Sequence, residues 1–260
     1  MKHHFIYEEL DILKLKPNMN GFARAIMLEG KLPIERVEVS FNILQSGQTY
    51  YFNVIKDKQR VLFFVSGTGL IQVDNKSFLI SNKTVFTSFP SIPFSIITEK
   101  DDLRWIELRM ELNNNDKKEL EEWKHKYPFF LDYNKCELYT DDSKTAKTIN
   151  RIIIPPHLVP RFAMGSVDST GPDNIKKHAH PWLEQCFFSF AENECTNLID
   201  TQTVDLKGNT LLYIPLGSNH GVEVREEKKM HYIWMDFFER TEKMEETIES
   251  HKLIGKVKDS

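Results

Sequence analysis

Two series of short β-prone runs, each punctuated by turn residues and each resembling the other, constrain the fold of this 260-residue chain more than any other feature. The first, over residues 37–112, reads VEVSFNIL, TYYFNVI, VLFFVSG, GLIQVDNKSFLI, TVFTSF, FSIITE and LRWIELRMEL. The second, over residues 161–238, reads RFAMGSV, EQCFFSF, TNLIDTQTV, TLLYIPL, HGVEV and HYIWMDFF. Many short strands at this spacing specify an antiparallel sandwich or barrel rather than alternating β and α units. The Asp74-Asn75-Lys76 step between two runs has the composition of a hairpin turn.

Laid over each other, VLFFVSG matches QCFFSFA, TVFTSFPSIPFSI matches TLLYIPLGSNHGV, and LRWIELRME matches HYIWMDFFE. The pattern predicts an all-β chain made of two copies of one barrel. The expected boundaries are an N-terminal barrel over 1–112, a helical and irregular linker over 113–160, a second barrel over 161–240 and a short helical tail over 241–260. Asn113 to Asp116 followed by KKELEEWKHKY supplies cap residues and then a helix with Leu120, Trp123 and Tyr127 on one face. Pro155-Pro156 forbids a regular helix at the end of the linker.

A net charge of −4, with lysines interleaved among acidic residues, leaves no electrostatic footprint for nucleic acid. No window approaches the roughly 18 apolar residues of a membrane span, and MKHHFIYEEL lacks a signal-peptide core. Cys136, Cys186 and Cys195 are odd in number and have no paired spacing, as expected of reduced thiols. The expectation is a cytoplasmic protein with no membrane or nucleic-acid partner.

Within the second series, His178-Ala-His180-Pro-Trp-Leu-Glu184 and Pro215-Leu-Gly217-Ser-Asn-His220 bring three imidazoles and a carboxylate to metal-ligand spacing. On one continuous strand, positions 178, 180 and 184 share a face. Three neutral imidazoles and one carboxylate would leave a divalent ion with two open positions, a catalytic rather than a closed arrangement. The mixed donor set suits one Mn, Fe, Ni, Co or Zn ion and does not choose among them.

At these residues the chain resembles the cupin superfamily, specifically a bicupin with a germin-type metal motif in its second half. His178, His180 and Glu184 match the first motif, with Gly171 one residue further upstream than usual. Gly208, Pro215, Gly217 and His220 match the second, again with one extra residue after the first glycine. Ala191 and Val224 stand where the family has glycine and asparagine. The resemblance implies double-stranded β-helix barrels, a metal held by His178, His180, Glu184 and His220, and a first barrel without a site. Superposing the paired Phe-Phe steps places Val54, Lys56 and Arg60 at 178, 180 and 184, and Ser95 at 220.

Arg161, Met164 and Ser166 lie near where cupins shape the pocket. Cys186 and Phe188 share the parity of Glu184 and are expected in the pocket wall, and Asp236 is a candidate acid or base. Trp182 has the opposite parity and is expected in packing or at a rim, and His231 at the surface. The function expected is that of a metal-dependent enzyme on a small polar metabolite such as a sugar acid or keto acid, isomerase or lyase in type. A cupin dioxygenase or oxalate-decarboxylase-like enzyme is one alternative, and a non-enzymatic sugar sensor another. Cupin edge strands commonly pair between subunits, so a homo-oligomer, as a dimer, is expected.

Overall fold

A computed structural model describes residues 4–245, 249 and 251–256. The chain divides into two compact units, Asp11–Asn134 and Met1–Leu10 with Lys135–Ser260. Each is a barrel of two antiparallel sheets, as the strand pattern predicts.

In the first unit, one sheet orders its strands as Phe129–Asp132, Thr84–Thr87, Lys58–Ser66, Leu103–Glu111, Val37–Leu44 and Phe22–Ile26. The other orders Thr49–Phe52, Phe94–Thr98, Gly69–Val73 and Lys76–Ile80. Val73 pairs with Lys76 across the expected hairpin turn. Helix Asn114–Trp123 starts where the cap residues predict. The Asn113 side chain accepts from the backbone N–H groups of Asn115 and Asp116, and the Asp116 carboxylate accepts from that of Asn113.

In the second unit, the larger sheet orders Ile6–Glu9, Thr210–Ile214, Leu183–Ser189, Lys229–Phe238, Phe162–Thr170, Ile149–Val159, Glu137–Thr140 and Lys252–Lys256. The smaller orders Asp173–His178, His220–Val224, Glu194–Ile199 and Gln202–Lys207. Burial alternates over residues 203–207, as expected for a strand with one face in water.

Three boundaries differ from those expected. Residues 6–9 add an edge strand to the second barrel instead of opening the first. The linker over 113–160 is divided between the units, and its latter part forms the strands Glu137–Thr140 and Ile149–Val159. Proline is compatible with extended backbone, and Pro155-Pro156 sits where the pairing register shifts between Ile154 and Val159. The tail contributes a 3-10 turn at Thr241–Lys243 and the strand Lys252–Lys256, which pairs with Glu137–Thr140. Much of the expected tail helix lies outside the described residues.

Gly165 shows how tightly the second barrel is packed. A Cβ at this position would lie 2.2 Å from Trp234 Cζ2 and 2.4 Å from the Arg151 carbonyl oxygen, so only glycine lets the indole lie flat on the strand. Gly165→Ala is expected to cost about 1–3 kcal/mol and to displace Trp234. Denaturant titration combined with tryptophan fluorescence reads both effects, and an unchanged spectrum and midpoint would refute the prediction.

Candidate metal centre

His178 closes the strand Asp173–His178 and stands directly opposite His220, the first residue of His220–Val224. His180 lies just beyond, on the loop that leads into Leu183–Ser189. Gly217, at φ +73°, turns the Pro215–Asn219 segment, and its N–H donates to the His180 carbonyl oxygen at 3.1 Å. The Pro-x-Gly-x2-His spacing thus fastens the His180 loop to the residue that precedes the third histidine by three.

The three rings converge. Their centroids are 4.7 Å apart for His178 and His220, 4.9 Å for His178 and His180, and 5.5 Å for His180 and His220. One nitrogen from each lies within 4.8 Å of the others. His178 Nδ1 is 2.8 Å from the Lys176 carbonyl oxygen, and His220 Nδ1 is 3.1 Å from that of Ser218. A carbonyl only accepts, so Nδ1 carries the hydrogen on both rings and Nε2 is left with its lone pair. Burial, reinforced by the neighbouring imidazoles, pushes the pKa of His180 down to about 3 and that of His220 down to about 4. Burial lowers His178 as well. Neutral imidazoles with fixed tautomers are the form that binds a divalent ion, and the set fits the expected metal.

In chelator-treated protein the same shifts make folding sensitive to acid. A histidine whose folded pKa lies below its unfolded value near 6.5 contributes stability that is complete above pH 6.5 and lost as pH falls toward the folded value. For His220, 4% exposed, this amounts to roughly 3 kcal/mol between pH 6.5 and 4. Asp236 acts in the opposite sense, because burial raises its pKa to about 7. The informative quantity is therefore the difference between the wild type and His220→Gln in denaturant midpoints at pH 7.5 and pH 4.5. An identical pH dependence in the two proteins would contradict the prediction.

Glu184 is not brought to the histidines. Its carboxylate accepts from the Tyr213 hydroxyl at 2.5 Å, and it does not line the 480 Å³ cavity that holds them. Residues 179–182, with Pro181 among them, leave the strand, so positions 178 and 184 do not share one continuous alternation. Pairing resumes at Leu183 with Leu183, Gln185 and Phe187 facing the cavity. Cys186 and Phe188 follow Glu184 to the other face. Met164 and Ser166 are also turned away, since Val167 is the residue of Phe162–Thr170 that lines the cavity. Arg161 sits in the turn between two strands at φ +55° and does not line it either. Of the six pocket candidates only Asp236 does, opposite Gln185.

Trp182 stands on the cavity wall, 40% exposed, with the Lys243 ammonium 3.7 Å above its ring. His231, expected at the surface, is buried at 2% exposure; it is bonded to Glu192 at 2.6 Å and does not line the cavity.

Gln185 was not expected at the site. It is 6% exposed, its Nε2 donates to Asp236 Oδ1 at 2.7 Å, and its Oε1 is buried with no hydrogen-bond partner. A buried amide oxygen left in this state costs about 1–3 kcal/mol. Segments read as linker and tail also contribute to the wall, among them Tyr139, Asp141, Lys144 and His251. Lys144 is held by a bridge from its backbone to Ile175 and by an ion pair with Asp141. Its ammonium lies 5.1 Å from the centre of the Tyr139 ring. His251 packs against Tyr139 with centroids 4.1 Å apart and the rings tilted by 33°. Burial lowers the pKa of Lys144 against the raising effect of Asp141.

The first unit has no counterpart of this centre. His220 pairs with His178 and Ile199, and at the same place in the other barrel Phe94 pairs with Phe52 and Val73. Phe52 and Phe94 stack at 4.5 Å and 12°. This corrects the sequence superposition: Phe52 and Phe94 occupy the histidine positions, whereas Val54 and Lys56 are exposed outside the strands. Arg60 lies 4.9 Å above the Phe52 ring and donates to Glu107 at 2.7 Å.

Two barrels of this topology, one carrying a cluster of three histidines, define a tandem cupin fold. Among solved structures the chain is similar to oxalate decarboxylase from Lactobacillus farciminis in its formate complex, with a TM-score of 0.68 at 11% identity, over 89% of this chain and 86% of that one. It is likewise similar to protein YlbA from E. coli, with a TM-score of 0.66 at 13% identity, over 91% of each chain. A cupin 2 conserved barrel domain protein from Leptotrichia buccalis gives 0.58 at 15% identity, over 90% of this chain and 96% of that one. No protein-family model matches the sequence, and no curated protein matches it. At these identities the likeness is one of fold. No helix among the described residues is long and apolar enough to cross a membrane.

Proposed function

We propose that this chain is a divalent-metal-dependent enzyme of the bicupin kind, acting on a small, oxygen-rich metabolite such as a sugar acid or keto acid by isomerase or lyase chemistry. The observation that carries the reading is the convergence of His178, His180 and His220 on one point of a 480 Å³ cavity. A bound divalent ion would polarise a carbonyl or carboxylate oxygen and lower the pKa of an adjacent C–H or water.

The chain's own side chains supply the rest. The Nδ1–H bonds of His178 and His220 hold both rings in a donating orientation. Lys144, fixed by Asp141, brings a positive charge to the wall, where it can receive an anionic oxygen of the ligand. Phe187, Tyr232, Trp234 and Phe238 make the apolar part of the wall and exclude water from the reacting centre. The three cysteines are buried thiols, in keeping with a reducing compartment. The protein is proposed to act in the cytoplasm as a homodimer with a small molecule as its partner.

The test is a screen of hydroxy acids, keto acids and sugar acids by proton NMR, with protein loaded with Mn²⁺, Fe²⁺ or Zn²⁺ and with chelator-treated protein. Turnover that requires metal and disappears in His178→Ala supports the reading. Ligand-induced shifts without turnover under every metal would replace it with a binding protein.

A further inference from the structure

We propose that Gln185 is the fourth protein donor to the metal held by the three histidines, and that Asp236 positions it. The inference rests on the metal reading above and concerns a residue that neither the motif nor the parity of the strand singles out.

Gln185 and Phe187 are two apart on one strand and both face the cavity. Phe187 in turn lies 6.0 Å, centroid to centroid, from the His220 ring. The glutamine amide is therefore on the wall that the histidines address. The structure turns the Nε2 end of the amide toward Asp236, where its N–H donates to Oδ1 at 2.7 Å. The oxygen points the other way, buried and with no partner of its own. An amide oxygen is a competent ligand for the divalent ions that imidazole also binds.

The expected carboxylate at Glu184 is absent from the cavity, and the residue that takes its place is neutral. Three imidazoles and an amide leave the full charge of a dication directed at the open positions. The Asp236 carboxylate compensates part of it from behind the amide.

The test is Mn²⁺ titration of the full chain by calorimetry, with Co²⁺ absorption as a second readout of coordination. Gln185→Met keeps the volume and loses the oxygen, so its Mn²⁺ affinity should fall at least about tenfold and its Co²⁺ bands should shift. Gln185→Asn draws the amide back by one methylene and carries the same expectation, guarding against a folding failure of the first variant. Gln185→Glu keeps an oxygen donor and should bind at least as tightly as the wild type. Asp236→Leu should lose about 10–100-fold, whereas Asp236→Asn retains an acceptor for Nε2 and should stay within a few-fold of the wild type. Wild-type affinity and Co²⁺ spectra in Gln185→Met and Gln185→Asn, with binding abolished in His220→Ala, would overturn the role of Gln185 and leave the three-histidine site standing. Wild-type affinity in His220→Ala would instead remove the site itself.

Discussion

A His178→Ala, His220→Ala double variant purified without chelator is expected to carry less than about a tenth of the divalent metal found in the wild type, which should hold close to one equivalent. The two rings face each other across one strand pair, 4.7 Å apart. Removing both leaves His180 as the one imidazole of the cluster, and a single imidazole does not retain a divalent ion through purification. Because His220 is 4% exposed, a cavity is created as well, and a melting curve must show that the variant is folded. Elemental mass spectrometry of both proteins gives the answer. Equal metal in the two would place the ion elsewhere.

The second large effect concerns the barrel without a metal site. Glu107, 1% exposed, receives Arg60 at 2.7 Å, Arg109 at 2.6 Å and Arg24 at 3.3 Å. The guanidinium side chains are themselves only 14–20% exposed. Removing the carboxylate takes the acidic partner from Arg60 and leaves Arg24 and Arg109 with Glu38 alone, and breaking a buried pair in this way costs on the order of 3–5 kcal/mol. Glu107→Ala should lower the unfolding free energy of the first unit by that amount, read as a fall in its denaturant midpoint. Metal content should stay at the wild-type level, since the two histidine positions in that barrel are filled by stacked phenylalanines. A stability loss below about 1 kcal/mol would contradict this and show that Glu38 and water suffice for the arginines.

The contrast between the barrels follows from few residues. Where one has His178 and His220 at the paired strand ends, the other has Phe52 and Phe94, and Arg60 lies over both rings at 4.9 and 5.8 Å. The apolar cluster of Phe52, Phe64, Phe86, Phe94 and Trp105 then fills the interior. The same topology yields a packed core in one unit and a cavity in the other.

Much of this was legible in the sequence because strand alternation and turn residues act locally. The duplicated barrels, the Asn113-capped helix and the three histidines all follow from periodicity and spacing. Gln185 rather than Glu184 faces the cavity because Pro181 and its neighbours interrupt the strand, and parity cannot be carried across a break of unstated length. The match of TVFTSFPSIPF to TLLYIPLGSNH already aligns Phe94 with His220, whereas the Phe-Phe match is out by one residue. In the structure Trp105 pairs with Phe64 as Trp234 pairs with Phe187. Lys144 and His251 reach the cavity through long-range pairing of Glu137–Thr140 with Lys252–Lys256, and a polar pattern over 241–260 carries no trace of that contact.

The most direct test of the account is anomalous diffraction at the metal absorption edge from crystals of the chain reconstituted with Mn²⁺. One peak per chain is expected, within bonding distance of His178, His180 and His220, and none between Phe52 and Phe94. A peak at other residues, or an ordered histidine cluster with no peak under saturating Mn²⁺, would contradict it.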